Sequence, residues 1–250
     1  MPRRQITALF VATILAAFTV NASDFWLSKD WKQWSKDECA RVLVESPWSH
    51  IWRGRTPGVN TRQATETLTP EHTEAVDYVV YSVQIRSALP VRQAIVRQQQ
   101  IDLKYDKMTD EQRKEFDTRA DQILSRKYDD TILVHMDYSK GKAASILAGD
   151  LHVYVQKGIE DLDAVLTTDD GAQTKASRFD INPKSPYSFD LVFPRVVNGI
   201  PIVKDGQKRI AVQFMSPELI GAYGGVNIPK ERVRVEFDLT KMMLDGKLNY

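Results

Sequence analysis

Apolar and polar side chains alternate on both sides of an Asp-Gly pair near the middle of the chain. Residues 164–168 lead into the turn sequence Asp-Asp-Gly at 169–171, and residues 172–179 run back. An Asp-Gly pair between strand-like segments is typical of a tight hairpin, because its central positions need a positive φ that these residues tolerate. The pattern therefore predicts an antiparallel hairpin between residues 164–168 and 172–179.

The same device recurs further along the chain. Residues 201–204 lead to Asp-Gly at 205–206, and residues 207–214 then alternate with a period of two. Residues 187–193, between these two regions, alternate in the same way. Period-two alternation buries one face of a strand and exposes the other, as in an antiparallel sheet that packs on a core. We expect this centre of the chain to be an antiparallel sheet.

Four further segments have strand patterns, at residues 76–85, 131–138, 151–155 and 231–239. A third Asp-Gly pair, at 245–246, is expected to turn the tail back toward the sheet. About eight short strands with such turns predict a mainly β protein built as an antiparallel β-sandwich, and an immunoglobulin-like architecture is compatible with that number. The alternative is an α+β fold with helices on one face of a sheet.

Helical patterns occur in three places. Ser35 and Glu38 form a capping box, which predicts a helix over residues 36–45, and Cys39 lies on its apolar stripe. The residue before Pro47 is disfavoured in helical conformation, so this helix ends there. Two more helices are predicted between the early strands, near residues 90–101 and 109–126.

The first residues have the pattern of an export signal. Arg3 and Arg4 precede an apolar run at residues 6–20, and Ala22 stands at the expected cleavage position. The run is too short for a confident membrane span. We therefore predict a signal peptide at 1–22, a Trp-rich helical arm and linker at 23–75, and a β domain at 76–250. The mature protein would be periplasmic or secreted, without a transmembrane span.

Composition and charge exclude several classes of protein. The chain has 250 residues, 42% of them hydrophobic, which favours a globular protein over a disordered one. The formal charge is +1, and removal of Arg3 and Arg4 makes it −1. A nearly neutral chain lacks the positive field of nucleic-acid-binding proteins. Cys39 is the only cysteine, so no internal disulfide can form.

All five tryptophans lie within thirty residues of the predicted cleavage site, at positions 26, 31, 34, 48 and 52. Large aromatic side chains would help a short helix to dock on a sheet, which is the structural interpretation. The functional interpretation is a stacking surface for a sugar or a membrane interface. Candidate ligand contacts are Trp34, Trp48 and Trp52, together with Tyr223 in a Gly-rich loop near a sandwich end.

Candidate catalytic groups are few. His135 and Asp137 share one face of a predicted strand, and His152 lies on the next predicted strand. Zinc enzymes usually supply three protein ligands, and the HExxH spacing is absent, so we predict no metal site. The motifs of nucleotide-binding loops are also absent, and no cofactor is predicted.

Several short motifs resemble an uncharacterised family of exported bacterial proteins. The matching positions are Trp-Lys-Gln-Trp-Ser at 31–35, Glu-Cys at 38–39, Ser-Pro-Trp at 46–48, Phe-Pro-Arg at 193–195 and Gly-Lys-Leu-Asn-Tyr at 246–250. The resemblance implies a bacterial origin, export, a Trp-rich N-terminal helix and a C-terminal β domain. It implies no catalytic activity.

The sequence thus predicts an exported, non-enzymatic binding or interaction module of the bacterial cell envelope. Its partner would be an envelope protein or a glycan. The alternative is a hydrolase acting on an envelope polymer through His135, Asp137 or a pair of carboxylates.

Overall fold

The computed structural model describes residues 24–55, 77–141, 145, 162–181, 185, 187–216, 218–221, 226–228, 230–244 and 246–250. The predicted signal peptide, the predicted strand at 151–155, His152 and Tyr223 lie outside these described residues.

The described residues form three α-helices and fifteen strands. The helices are α1 Lys36–Val44, α2 Leu89–Asp102 and α3 Asp110–Ser125. The strands are β1 Ser49–Arg55, β2 Asp77–Ile85, β3 Thr131–Asp137, β4 Val165–Thr168, β5 Gln173–Lys175, β6 Arg178–Ile181, β7 Ser188–Pro194, β8 Val196–Val197, β9 Ile200–Pro201, β10 Arg209–Ser216, β11 Leu219–Gly221, β12 Val226–Ile228, β13 Glu231–Asp238, β14 Met243–Leu244 and β15 Lys247–Leu248.

Two antiparallel sheets dominate the fold. The larger sheet has the order β1-β2-β3-β7-β6, and the smaller sheet has the order β13-β10-β4-β5. Three short hairpins complete the strands that are described, namely β8-β9, β11-β12 and β14-β15. The predicted mainly β fold with antiparallel sheets and three helices is confirmed.

The core lies between the two sheets. Ring contacts cross from one sheet to the other: Phe214 on β10 lies 5.0 Å from Tyr81 on β2 and 5.7 Å from Phe189 on β7, measured between centroids. Along β13, Val233, Val235 and Phe237 are buried, while Arg232, Arg234 and Glu236 between and before them are exposed. The period-two alternation therefore marks the strand that closes the smaller sheet.

The first predicted hairpin is confirmed, with a correction to its second strand. Gly171 has a φ of +84°, as the tight turn between β4 and β5 requires. However, residues 172–179 do not form one strand. Ala176 donates its N–H to Ala164, and Ser177 donates to Val192 in the other sheet. The chain therefore switches sheets at this point, and β6 pairs with β7 in the larger sheet.

The second predicted hairpin is wrong. Strand β9 pairs with β8, and the turn between them uses Asn198 at φ +52° and Gly199 at φ +78°. Two successive positive φ values are those of a primed turn, which Asn-Gly favours as strongly as Asp-Gly. Ile202 and Val203 are buried in the core instead of pairing with β10. The third turn is observed: β14 pairs with β15, and Gly246 has a φ of +71°.

Part of the predicted N-terminal arm is a strand, β1, and not a helix or linker. Its residues, which include Trp52, pair with β2 along the whole strand, so this part of the arm is an edge of the larger sheet. All of β1 falls within residues 23–75, which were predicted as a helical arm and linker. Strands β11 and β12 likewise lie within the Gly-rich stretch that was predicted to be a loop.

The helices begin where the sequence predicts. The predicted capping box of Ser35 and Glu38 forms at the start of α1, and Thr109 and Gln112, whose sequence spacing is the same, form a second capping box at the start of α3. Helix α1 contacts the larger sheet, where the Gln84 side chain donates to its Leu43 carbonyl at 2.8 Å. No helix among the described residues is long and apolar enough to cross a lipid bilayer.

Candidate functional site

Trp34 and Trp48 are covered by the rest of the protein. Trp34 is 1% exposed and Trp48 is 0% exposed. Their indole N–H groups are used internally: Trp34 donates to the carbonyl of Lys29 at 3.2 Å, and Trp48 donates to the carbonyl of Asn249 at 2.5 Å. A ligand could reach neither ring face without displacing its neighbours.

The two residues belong to a chain of edge-to-face aromatic contacts. Phe25 lies 5.1 Å from Trp26 and 5.5 Å from Trp34, and Trp26 lies 5.9 Å from Trp48. All four side chains are part of the main hydrophobic cluster, together with Cys39 of α1. Burial raises the pKa of the Cys39 thiol to about 11, so the thiolate is scarce at neutral pH. The arm thus contributes to the core.

Trp52 has a different environment. It is half-buried on the edge strand β1, and its ring lies 5.8 Å from that of Tyr81 on the neighbouring strand. Its six-membered ring folds over Gly54. A Cβ atom placed on Gly54 would lie 3.0 Å from Cη2 and Cζ3 of Trp52. The absence of a side chain at position 54 therefore allows this ring position.

A carboxylate borders the same point. Glu231 is the first residue of β13. Its Oε2 would lie 3.5 Å from a Cβ atom placed on Gly54. Burial raises the pKa of Glu231 above its ordinary value. Glu231 faces Ser216 across the β10-β13 pair, and the Ser216 hydroxyl lies 2.9 Å from the hydroxyl of Tyr81. We call Trp52, Gly54 and Glu231 the Trp52 corner; it combines an indole with a hydrogen-bond acceptor.

His135 has a carboxylate partner, which is Asp190 on the adjacent strand β7. Its Nδ1 lies 2.6 Å from Oδ1 of Asp190, while Asp137 accepts hydrogen bonds from the N–H and hydroxyl of Ser139. His135 is 6% exposed. Burial lowers its pKa, the bond to Asp190 opposes that effect, and the charge of Arg86 adds to it. His135 is therefore held neutral, with Nδ1–H donating to Asp190.

The sequence placed Asp137 on the same strand face as His135 as a candidate catalytic carboxylate, and the strand register explains why Asp190 is the partner of His135 instead. His135 and Asp190 are directly opposed in the β3-β7 ladder, whereas Asp137 lies two residues along β3. The Trp52 corner was not predicted either, because β1 was not recognised as a strand. Among the described residues, no three His, Cys, Asp or Glu side chains are grouped as a metal site would require.

We compared the chain with models of protein families and with curated proteins. The chain matches no known protein family and no curated protein.

Proposed function

We propose that the protein is an exported, non-enzymatic binding module of the bacterial cell envelope whose ligand is a glycan. The observation that carries the proposal is the Trp52 corner, where a half-buried indole and the Glu231 carboxylate meet over Gly54. The signal-peptide pattern of residues 1–22 supports export.

The chemistry of the corner suits a sugar. A pyranose presents C–H groups on its faces and hydroxyls around its rim, so it needs an aromatic surface and a polar acceptor close together. An indole provides a large rigid apolar surface. A carboxylate accepts hydrogen bonds from hydroxyl groups through two oxygens. Edge strand β1 and the first residue of β13 fix both groups on the scaffold of the sandwich.

The test is binding of the purified mature protein to isolated cell-wall polysaccharide. We expect Trp52→Leu and Glu231→Gln to weaken the binding at least tenfold, and Trp31→Leu to leave it unchanged. Trp31 is a matched control because it is also a half-buried tryptophan of the arm, but it packs against the helices. Thermal unfolding of each variant separates loss of binding from loss of the fold. Equal binding by folded Trp52→Leu and Trp31→Leu would rule out the Trp52 corner as the glycan-binding site.

Export has its own test. Expression of the full chain in a bacterium, followed by fractionation and N-terminal sequencing, is expected to give a periplasmic or secreted product that begins at Ser23. A cytoplasmic product that retains Met1 would contradict this part of the proposal and leave the glycan site untouched.

A hydrolase acting on an envelope polymer is the second candidate. The observation that favours it is the His135–Asp190 pair, because a carboxylate that accepts from Nδ1 orients the imidazole as a general base. The base would have to be uncovered, since His135 is 6% exposed. Release of soluble fragments from the cell wall by wild type, and none by His135→Gln, would favour this candidate over binding alone.

A further inference from the structure

Strand β13 forms one edge of the smaller sheet, because among the described residues it pairs only with β10. The pairing runs through all eight residues of the strand without a bulge. The strand also contains no proline and no lysine, which are residues that commonly protect an exposed edge. A regular edge of this kind presents a row of backbone N–H and C=O groups that another strand can use.

The backbone groups of Arg232, Arg234 and Glu236 point toward this free edge. Leu239, directly after the strand, donates its N–H to the carbonyl of Lys208 at 2.8 Å. In an antiparallel pair, the residues that bond to the neighbouring strand alternate with residues that do not. Odd-numbered residues of β13 therefore bond to β10, and even-numbered residues direct their backbone groups outward. The side chains of the three even-numbered residues named above are exposed.

Strand β1 contacts β13 on its inner face. The ring of His50 lies 5.0 Å from the ring of Phe237, measured between centroids. At the other end of the strand, Gly54 lies near the Glu231 side chain. Both contacts involve odd-numbered positions of β13, whose side chains point toward the larger sheet. The free edge points in a different direction, within the plane of the smaller sheet.

We propose that β13 pairs antiparallel with β13 of a second copy of the chain, around a twofold axis at Val235. This register places Arg234 of each copy opposite Glu236 of the other, and Arg232 opposite Asp238. Even-numbered residues face even-numbered residues, so the outward backbone groups of both strands meet. A twofold pairing of this kind makes one continuous sheet through both copies and closes at two.

The charges of β13 select this register. Moving the axis by one residue would place Arg234 opposite Arg234, or Glu236 opposite Glu236. Like charges directly opposite each other destabilise a strand pair. Within one copy Arg234 donates to Glu236 at 2.7 Å, and this bond can persist. In the dimer, each arginine has one glutamate beside it on its own strand and another across the pair.

The other exposed arginine contributes less to this choice. Arg232 already pairs with Asp163 of its own copy at 3.1 Å. Exposed ion pairs add little free energy in any case, so the backbone ladder supplies most of the affinity and the charges supply the register. A single strand pair is smaller than a standard protein interface, and we expect a weak, reversible dimer.

The first test uses the wild-type protein without substitutions. Sedimentation equilibrium at increasing protein concentration is expected to show a monomer–dimer equilibrium. In hydrogen-exchange NMR, the N–H groups of Arg234 and Glu236 should exchange more slowly as the dimer forms, because they enter the new ladder. A chain that stays monomeric, or that forms open-ended oligomers, would overturn the proposal. Exchange at these two positions that does not depend on concentration would overturn it as well.

The second test reverses charges across the twofold axis. Arg234→Glu places glutamates opposite each other twice, and Glu236→Arg does the same with arginines. Each variant should dimerise about tenfold more weakly than wild type, since two opposed pairs become repulsive. An equal mixture of the two variants should form a heterodimer of about wild-type affinity, because every opposed pair then regains opposite charges. Rescue in the mixture cannot arise from variants that fail to fold.

Arg178→Glu is the matched control. Arg178 and Asp180 form an exposed pair two residues apart on β6, the edge strand of the larger sheet, with 2.6 Å between Nε and Oδ2. This substitution should leave dimerisation unchanged, because it reverses a charge on a different edge. Equal weakening by Arg178→Glu and Arg234→Glu would contradict pairing through β13. A mixture that associates no more tightly than either single variant would contradict the proposed register.

Discussion

The side-chain oxygen of Asn249 accepts a hydrogen bond of 2.7 Å from the backbone N–H of Leu89, the first residue of α2. The local N-cap position holds Ala88, whose side chain cannot accept such a bond. The first amides of a helix have no partner within the helix. A residue from the C-terminal tail therefore provides the cap that the sequence around α2 lacks.

This relationship predicts the effect of Asn249→Ala. The variant should lower the free energy of unfolding by about 1–2 kcal/mol, because an uncapped helix start typically costs that much. Asn249→Asp keeps an acceptor and adds a negative charge near the positive end of the helix, so it should retain most of the stability. Urea denaturation measures both. Equal losses in the two variants would show that the side-chain oxygen does not stabilise α2.

Trp34→Ala tests whether the arm is part of the core. Removal of a fully buried tryptophan should cost about 3–5 kcal/mol, since large aromatic side chains leave a cavity that collapses only in part. Trp31→Ala is the control, because that side chain is only half-buried and should cost distinctly less. Thermal and chemical unfolding of the two variants give the comparison. A Trp34→Ala loss no larger than that of Trp31→Ala would contradict burial of the arm.

Local patterns in the sequence predict the local parts of the fold. The alternation in β13 and the capping boxes of α1 and α3 depend on residues close together in the chain, so they can be recognised without the structure. The cap of α2 by Asn249 cannot, because 160 residues separate its two partners. The same limit applies to the switch of sheets at Ala176, which is decided by the strands that receive the chain.

The Trp52 corner could not be predicted from the sequence either, because the pattern of β1 is weak. His50 and Trp52 lie on the face of β1 that meets β13, and on the opposite face Ser49 is buried and Ile51 is half-buried, so both faces of the strand are covered in part. Such a strand shows weak alternation, and its tryptophan resembles those of the adjoining arm. The prediction therefore selected Trp52 only as one of several tryptophans and did not associate it with Glu231.

His135, which is buried, and His50, which is half-buried, predict a loss of stability in weak acid. Burial is the main cause of the lowered pKa values of His50 and His135 in the folded state. As the pH falls through about 6.5, the unfolded state takes up protons before the folded state does. The free energy of unfolding should then decrease by up to about 1.4 kcal/mol per pH unit for each histidine, until the folded pKa is reached.

Urea denaturation between pH 7.5 and pH 5 measures this dependence, above the range in which the carboxylates titrate. His50→Gln and His135→Gln should each flatten the slope, and the double variant should flatten it most. Asp190→Asn should steepen it, because loss of the carboxylate lowers the pKa of His135 further. A slope that is the same in wild type and the double variant would exclude these histidines as its cause.

Gly54→Ala tests the packing of the Trp52 corner. The new methyl group would lie 3.0 Å from two ring atoms of Trp52, closer than ordinary carbon contacts, so the ring must move or the strand must shift. We expect a loss of about 1–3 kcal/mol in the free energy of unfolding, as for other overpacked sites. In a Trp52→Leu background the same substitution should cost less, because the ring that obstructs the methyl group is gone. A double-mutant cycle gives the coupling, expected at about 0.5–3 kcal/mol for residues in contact. A coupling near zero would mean that Trp52 does not lie over Gly54, and the surface proposed to bind the glycan would then lose its indole.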